Sequence, residues 1–456
     1  MRTPVSPRPK WAALLSALSA LVLLAGAPAA LAETRTASQS APAGEETLGL
    51  ESILELDVTD LPGTREGQPV VAVNPRNPRN LVYVATVFPN RPALEPVGEC
   101  FVAFSQDRGK TWQRSTWPLG DRPQCGEPIV TTDAKGVFYI SNNQIGPDPA
   151  TTYTNHNVVS RSVDGGRTWI GPVETPLLLG GAPKLRVDSA TGKVYAVAGA
   201  VWEYPSAVSV SANSGATWSD PAVIPGPMPC IVVSPAMPPA CGYPGREFAV
   251  HDGILASPTQ EGTVTLHVTR DDGKTWVDRP VTDSAGTPVP AGTGALVPVP
   301  ALGAAADPVP WVSADPTRKG RFAVMVPRES NLEVYVTGDA GRSWTGPAVI
   351  AASAAQRPWM EFGPGGQLGV MWRTTTLDAF SVVSFDHGRT FSRALRVNAT
   401  TQPAGVNGPP GDRWSTITLD RRYAYVAWSD GRSGELDGIL ARVPLSAYRG
   451  SGGQTG

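Results

Sequence analysis

An eight-residue pattern recurs six times along this 456-residue chain and limits its fold more than any other feature. The first copy reads Ser105-Gln106-Asp107-Arg108-Gly109-Lys110-Thr111-Trp112, and the second Ser162-Val163-Asp164-Gly165-Gly166-Arg167-Thr168-Trp169. The third runs from Ser211 to Trp218 and carries Asn213 where the others carry Asp. Thr269 to Trp276, Thr337 to Trp344 and Ser384 to Phe391 complete the set. Successive third positions are 57, 49, 58, 68 and 47 residues apart, which allots one supersecondary unit to each copy. An acidic or amide side chain at that position can accept hydrogen bonds from nearby backbone N–H groups. Glycine two residues later tolerates positive φ. Flanking runs such as Val208-Ser209-Val210-Ser211 alternate apolar and polar, so each copy reads as a hairpin turn. Five of the 13 tryptophans occupy the final position, which favours packing over ligand contact there.

Ahead of each turn lies a second recurring pair of strands. Examples are Pro69 to Val73 with Leu81 to Ala85, Pro128 to Val130 with Gly136 to Ile140, and Lys184 to Val187 with Lys193 to Val197. Two strands, a third entering the turn and a fourth leaving it make a four-stranded antiparallel unit, the blade of a propeller. The predicted fold is therefore all-β, a single β-propeller over residues 48–446 with seven four-stranded blades. A six-bladed ring is the competing count, because the stretch from Phe248 to Val281 is irregular before its turn. The last unit, from Trp414 to Val443, has three strands and no copy of the pattern. An unclosed ring exposes two sheet edges, and Ile53 to Val58 is placed to supply the missing outer strand.

The first 32 residues read as a signal peptide. Arg2, Arg8 and Lys10 precede an uncharged run from Trp11 to Gly26, and Ala30-Leu31-Ala32 offers a cleavage pattern ahead of Glu33. Residues 33–47 and 447–456 lack periodicity and read as a flexible leader and tail. The expectation is a secreted, extracellular monomer with no membrane insertion after cleavage. Net charge is -2 without a dense basic block, which argues against nucleic-acid partners. Glycine (48) and proline (46) are both abundant, as many short strands joined by tight turns require. The four histidines form no metal-ligand spacing and no Gly-x-Ser-x-Gly elbow occurs, so neither a metal, nor a cofactor, nor a serine triad is expected.

The six turns resemble the Asp-box (BNR) repeats of the sialidase superfamily, a likeness that covers the first six blades. The resemblance implies a propeller with Asp-boxes on the side away from the active site, and a function on extracellular glycans. A sialidase-like site would hold three arginines gripping a sugar carboxylate, a tyrosine activated by a glutamate, and an aspartate as acid/base. The chain departs from that family in lacking the Arg-Ile-Pro element at the first blade, where it reads Gly67-Gln68-Pro69-Val70-Val71. Charged residues do recur where other inner strands begin. Arg246, Arg357, Arg413 and Lys184 are the expected substrate-binding groups, and Tyr243, Glu127, Glu247 and Asp307 the expected catalytic ones. Two other readings stand beside a glycan-active enzyme. In one, these charges neutralise one another in a polar channel. In the other, the propeller binds carbohydrate or a protein ligand without catalysis.

Four cysteines follow the signal peptide, and four thiols in an oxidising compartment pair. Three pairings are possible, and proximity favours Cys100–Cys125 and Cys230–Cys241. Non-reducing peptide mapping of the secreted chain should recover those two links. A cross-link between the two pairs, or four free thiols, would refute the assignment.

Overall fold

The structure is a computed structural model. It describes residues 53–89, 99–117, 124–148, 151–178, 184–198, 206–226, 230–231, 240–241, 247–292, 298–299, 304–305, 310–352, 355–402 and 415–449. Seven four-stranded antiparallel sheets follow one another along the chain. Their inner strands are Thr64–Val73, Gln124–Thr132, Lys184–Val187, Ala249–His251, Trp311–Ala314, Gln356–Phe362 and Thr416–Leu419. Each inner strand lies against the next, and the seventh lies against the first. The molecule is therefore a closed seven-bladed propeller, and the six-bladed alternative falls. The irregular stretch after Phe248 is a complete blade with a short inner strand of three residues.

Closure comes from the segment expected to supply it. Leu54–Asp57 pairs antiparallel with Asp437–Pro444, so the outer strand of blade seven comes from the start of the propeller. Leu54 stands opposite Arg442 and Asp57 opposite Ile439. After the last strand a helical turn, Leu445–Arg449, buries Tyr448, whose phenol is hydrogen-bonded to the Ser381 hydroxyl at 2.8 Å. The ordered chain thus extends into the segment read as tail.

The repeat turns explain how the blades hold one another. In the second copy Asp164 Oδ1 accepts the N–H groups of Arg167 and Thr168 at 3.1 and 3.0 Å, while Oδ2 accepts the Thr168 hydroxyl. The Ser162 hydroxyl donates to Asp164 and accepts the Gly166 N–H. Asn213 keeps this scheme with one reversal: its amide donates to the Thr217 hydroxyl at 2.9 Å, where Asp would accept. The residue between Asp and Gly also has positive φ in all six turns, from 58° at Ser214 to 79° at Gly165. The backbone therefore makes two consecutive left-handed steps. That pair of steps pushes the turn against the preceding blade. A Cβ on Gly166 would meet Val82 Cγ2 of blade one at 2.6 Å, and one on Gly273 would meet Val208 Cγ1 of blade three at 2.9 Å. Glycine is needed twice over here, for conformation and for closeness.

Polar contacts follow the same route. Asn80 donates to Gly165 O at 2.9 Å, Arg161 to Ser214 O at 3.1 Å, and Lys193 pairs with Asp272 at 2.5 Å. His387 is likewise hydrogen-bonded to Asp315 of blade five at 2.8 Å. The turn aromatics are buried or half-buried, as a packing role requires. Trp169 donates to Ser115 at 3.1 Å, and Trp117 donates in return to Ser160 at 3.1 Å, stitching blade one to blade two. The Cys100–Cys125 disulfide joins the same two blades, as expected. The backbone sets Cys230 directly opposite Cys241 in a separate two-stranded ribbon.

Strand order fixes which face carries what. The inner strand crosses from one face to the other, the second returns and the third repeats the first. The six repeat turns follow third strands, so they share the face where inner strands end. Glu127, Lys184 and Glu247 sit where inner strands begin, on the opposite face.

Two outcomes test this account. Trp169→Ala should cost about 3–5 kcal/mol in denaturant unfolding, by leaving a void and an unpaired Ser115 hydroxyl. The turn carboxylates should also make the fold acid-sensitive. Burial opposes the charge on Asp164, but the Thr168 hydroxyl and the surrounding N–H groups outweigh it and hold the carboxyl below its ordinary value. The Thr275 hydroxyl and N–H, with Thr269, hold Asp271 down to about 2. A depressed folded value means stability that is full above about pH 4 and is lost as pH falls through the folded value. Thermal midpoints should drop between about pH 4 and 2, and replacing the five turn aspartates by Asn, the residue already at 213, should shrink that drop.

Candidate functional site

Inner strands are pleated, so alternate residues face the channel. From blades three to seven these positions build one continuous cluster. Lys184 opens the inner strand of blade three and is 3 % exposed, as is Glu247 just before that of blade four. Their Nζ and Oε1 atoms lie 2.8 Å apart. The Lys184 ammonium stands 5.3 Å from the ring centre of Trp311 and 5.0 Å from that of Trp359, so it is held beside a pair of indoles as well as by a carboxylate. The two rings are 4.4 Å apart at 50°. Trp311 Nε1 donates to Met360 O at 3.0 Å, fixing the half-buried indole of blade five against blade six.

Two residues along, the same pleat presents Arg186, Glu361 and Thr418. The Arg186 guanidinium lies 5.9 Å from the Trp359 ring. Glu361 accepts the Trp359 N–H at 3.5 Å and the Thr418 hydroxyl at 3.2 Å. Burial pushes the Glu361 carboxyl up, and the nearby Arg186 charge only partly offsets this. Among the described residues Glu247 Oε2, which is buried, meets no hydrogen-bond partner. Cations and carboxylates thus alternate around one side of the channel, between flat aromatic walls.

The other side is built from amides. Gln68 and Glu127 occupy equivalent bulges in blades one and two, each between a glycine and a proline. Both are left-handed, at φ 58° and 54°, a strained conformation for residues with a Cβ. Gln68 Oε1 accepts the Glu127 N–H at 3.0 Å and the Thr86 hydroxyl at 2.8 Å. Asn143 donates to Glu127 Oε2 at 3.3 Å.

Of the eight site residues expected from sequence, Lys184 and Glu247 come together, and Glu127 lies in the amide group across the channel. Arg357 falls in the bulged start of the sixth inner strand, and its side chain lies outside the description. Tyr243, Arg246, Asp307 and Arg413 lie outside the described residues. Sequence reasoning does not reach Arg186, Trp359, Glu361 and Thr418, which lie beyond the strand starts it singles out, nor Trp311, which opens a strand whose start it places at Asp307. Period-two alternation from Lys184 to Arg186, and from Trp359 to Glu361, was the available signal. Among the described residues no group of three or more His, Cys, Asp or Glu side chains is arranged to hold a metal ion.

No protein-family profile and no curated protein sequence matches the chain. Solved structures do resemble it. A Dyadobacter fermentans protein of unknown function aligns at 12 % identity and TM-score 0.46, covering 86 % of this chain and 99 % of its own. Trypanosoma rangeli sialidase in complex with sialic acid aligns at 13 % identity and TM-score 0.44, covering 83 % of this chain and 54 % of its own. The chain thus spans about half the length of that sialidase. YCF48 bound to D1 peptide aligns at 12 % identity and TM-score 0.44, covering 88 % and 98 %.

Proposed function

We propose that the chain is a secreted, non-catalytic binding propeller of the Asp-box type, with a glycan ligand at the mouth of its channel. The reading rests on one observation, the Lys184–Glu247 pair. A glycosidase needs two carboxyl groups, or a tyrosine and a carboxylate, facing the scissile bond. Here the carboxylate and the cation are committed to each other, nearly without solvent, and Glu127 is hydrogen-bonded to Asn143. A free cation for gripping an acidic sugar is correspondingly not supplied by Lys184. What remains is a half-buried indole at Trp311, with Trp359 and Arg186 behind it. A flat apolar face edged by polar groups suits the C–H face and hydroxyls of a sugar ring. The signal-peptide pattern of the first 32 residues and the Cys100–Cys125 disulfide support a site outside the cell.

Binding and product analysis on labelled neutral and acidic oligosaccharides separates this reading from a hydrolase. Retention without shortened products is the expected result, and Trp311→Ala should weaken it by about tenfold or more. Release of a shortened sugar that depends on Glu247 or Glu127 would overturn the non-catalytic reading. Stability provides a separate check on the ion pair. Lys184→Met leaves Glu247 buried and unpaired and should cost about 3–5 kcal/mol in denaturant unfolding, whereas Lys184→Met with Glu247→Leu should recover most of it.

A further inference from the structure

The seam where the ring closes contains a carboxyl group whose surroundings require a proton. Glu66 lies in the inner strand of blade one, 1 % exposed, and its N–H donates to Leu436 O of blade seven at 2.7 Å. Oε1 is hydrogen-bonded to the Thr64 hydroxyl, and Oε2 to the Thr59 hydroxyl at 3.1 Å. A hydroxyl has one proton to give. The Thr64 hydroxyl faces both the Leu61 carbonyl at 2.7 Å, which can only accept, and Glu66 Oε1. Its one proton cannot serve both at once, so the two contacts are made together only when Glu66 carries a proton. Thr59 is similarly engaged: its hydroxyl meets Asp57 Oδ1 at 3.0 Å and accepts the Gly438 N–H at 3.1 Å. Asp57 Oδ1 also accepts the N–H groups of Thr59 and Asp60.

Among the described residues, the two charged groups that bear on Glu66 both favour its protonated state. Asp57 on the closing strand and Asp437 on the third strand of blade seven are both carboxylates that repel a charge on it. Tyr83 of blade one is fully buried nearby, with a phenol that meets no hydrogen-bond partner. Arg432 is tied to Asp430 at 2.6 Å and to Glu55 at 2.5 Å. Arg65 falls on the other face of the strand by alternation. Glu435 is turned to the Gly63 N–H.

We propose that Glu66 is the proton site of a latch on the ring: protonated, it holds segment 53–64 in the seam, and ionised, it drives that segment off blade seven. Burial pushes the Glu66 carboxyl up to about 7, against the Thr64 and Thr59 hydroxyls and with Asp437 and Asp57. A folded value above the unfolded one means the contribution is whole below the ordinary glutamate range and is lost as pH rises to 7 and beyond. The closed ring is thus tightest in a mildly acidic medium.

Hydrogen exchange of the full chain, corrected for intrinsic rates, tests the latch between about pH 5 and 8.5. Protection of peptides covering 53–64 should fall by about tenfold or more across neutrality, with peptides from blades three to five unchanged. Glu66→Gln offers an N–H donor without a titration and should hold protection level across the range. Asp437→Asn removes one repelling charge and should move the midpoint to lower pH. If Glu66→Gln fails to fold, the Asp437→Asn shift and a carbon-13 titration of the wild-type Glu66 carboxyl decide the matter. Uniform protection from low to high pH, a drop retained in Glu66→Gln, an unmoved midpoint in Asp437→Asn, or a Glu66 carboxyl titrating in the ordinary glutamate range would each overturn the proposal.

Discussion

The close approach of each repeat turn to the blade before it is the contact on which the rest of the propeller depends. Strand pairing alone would make seven independent sheets. What joins them is a turn with two left-handed residues, pressed so tightly that a Cβ at Gly166 or Gly273 would collide with the neighbouring blade. The residue earlier in the turn must be Asp or its isosteric amide, as at Asn213, since its side-chain oxygen organises the N–H groups that set this shape. One local device, copied six times, thereby sets both the blade geometry and the ring. Blade seven has no such turn, and there the work passes to a strand from the other end of the propeller.

This explains why the fold could be read from the sequence and the site only in part. A turn is local: Asp, Gly and the closing aromatic lie within eight residues, and their roles follow from hydrogen bonding and φ alone. The closing strand was legible too, because blade seven is visibly one strand short. The channel mouth is different. Its members come from five blades and meet only because the ring brings their inner strands together. Lys184 and Glu247 are legible because both sit at strand starts, whereas Trp359 and Glu361 lie further in, where facing depends on the pleat, and Trp311 opens a strand that begins four residues later than the charged start at Asp307 suggests. Positive φ at Gln68 and Glu127 was beyond reach, since neither residue type advertises it. Only the Gly-x-Pro context they share could have hinted at a bulge.

The polar interior is not a uniform lining. Blades three to seven contribute charges separated by aromatic rings, and blades one and two contribute amides and a strained carboxylate. Such an arrangement stiffens the mouth, because each charge is positioned by another residue of a different blade. It also makes that region a poor place for conservative exchange. Replacing Lys184 by Arg would ask a planar fork to fit where a compact ammonium is packed beside two indoles and a buried carboxylate.

The pairing of Leu54–Asp57 with Asp437–Pro444 has a consequence for the order of assembly. Its partners are nearly the full length of the propeller apart in sequence, so a strand that leaves the ribosome ahead of the seven inner strands is the last to be used. Blades one to six can form as the chain grows, each leaning on its predecessor. Blade one itself leans on blade seven, through Glu66 on Leu436 and Arg108 near Asp420, and must wait unsupported until the end. Joining ends so distant imposes a loop-closure entropy that local hairpins never meet. The final docking step should therefore be the slow one, and a chain interrupted before its last strand should leave two bare sheet edges exposed to other chains.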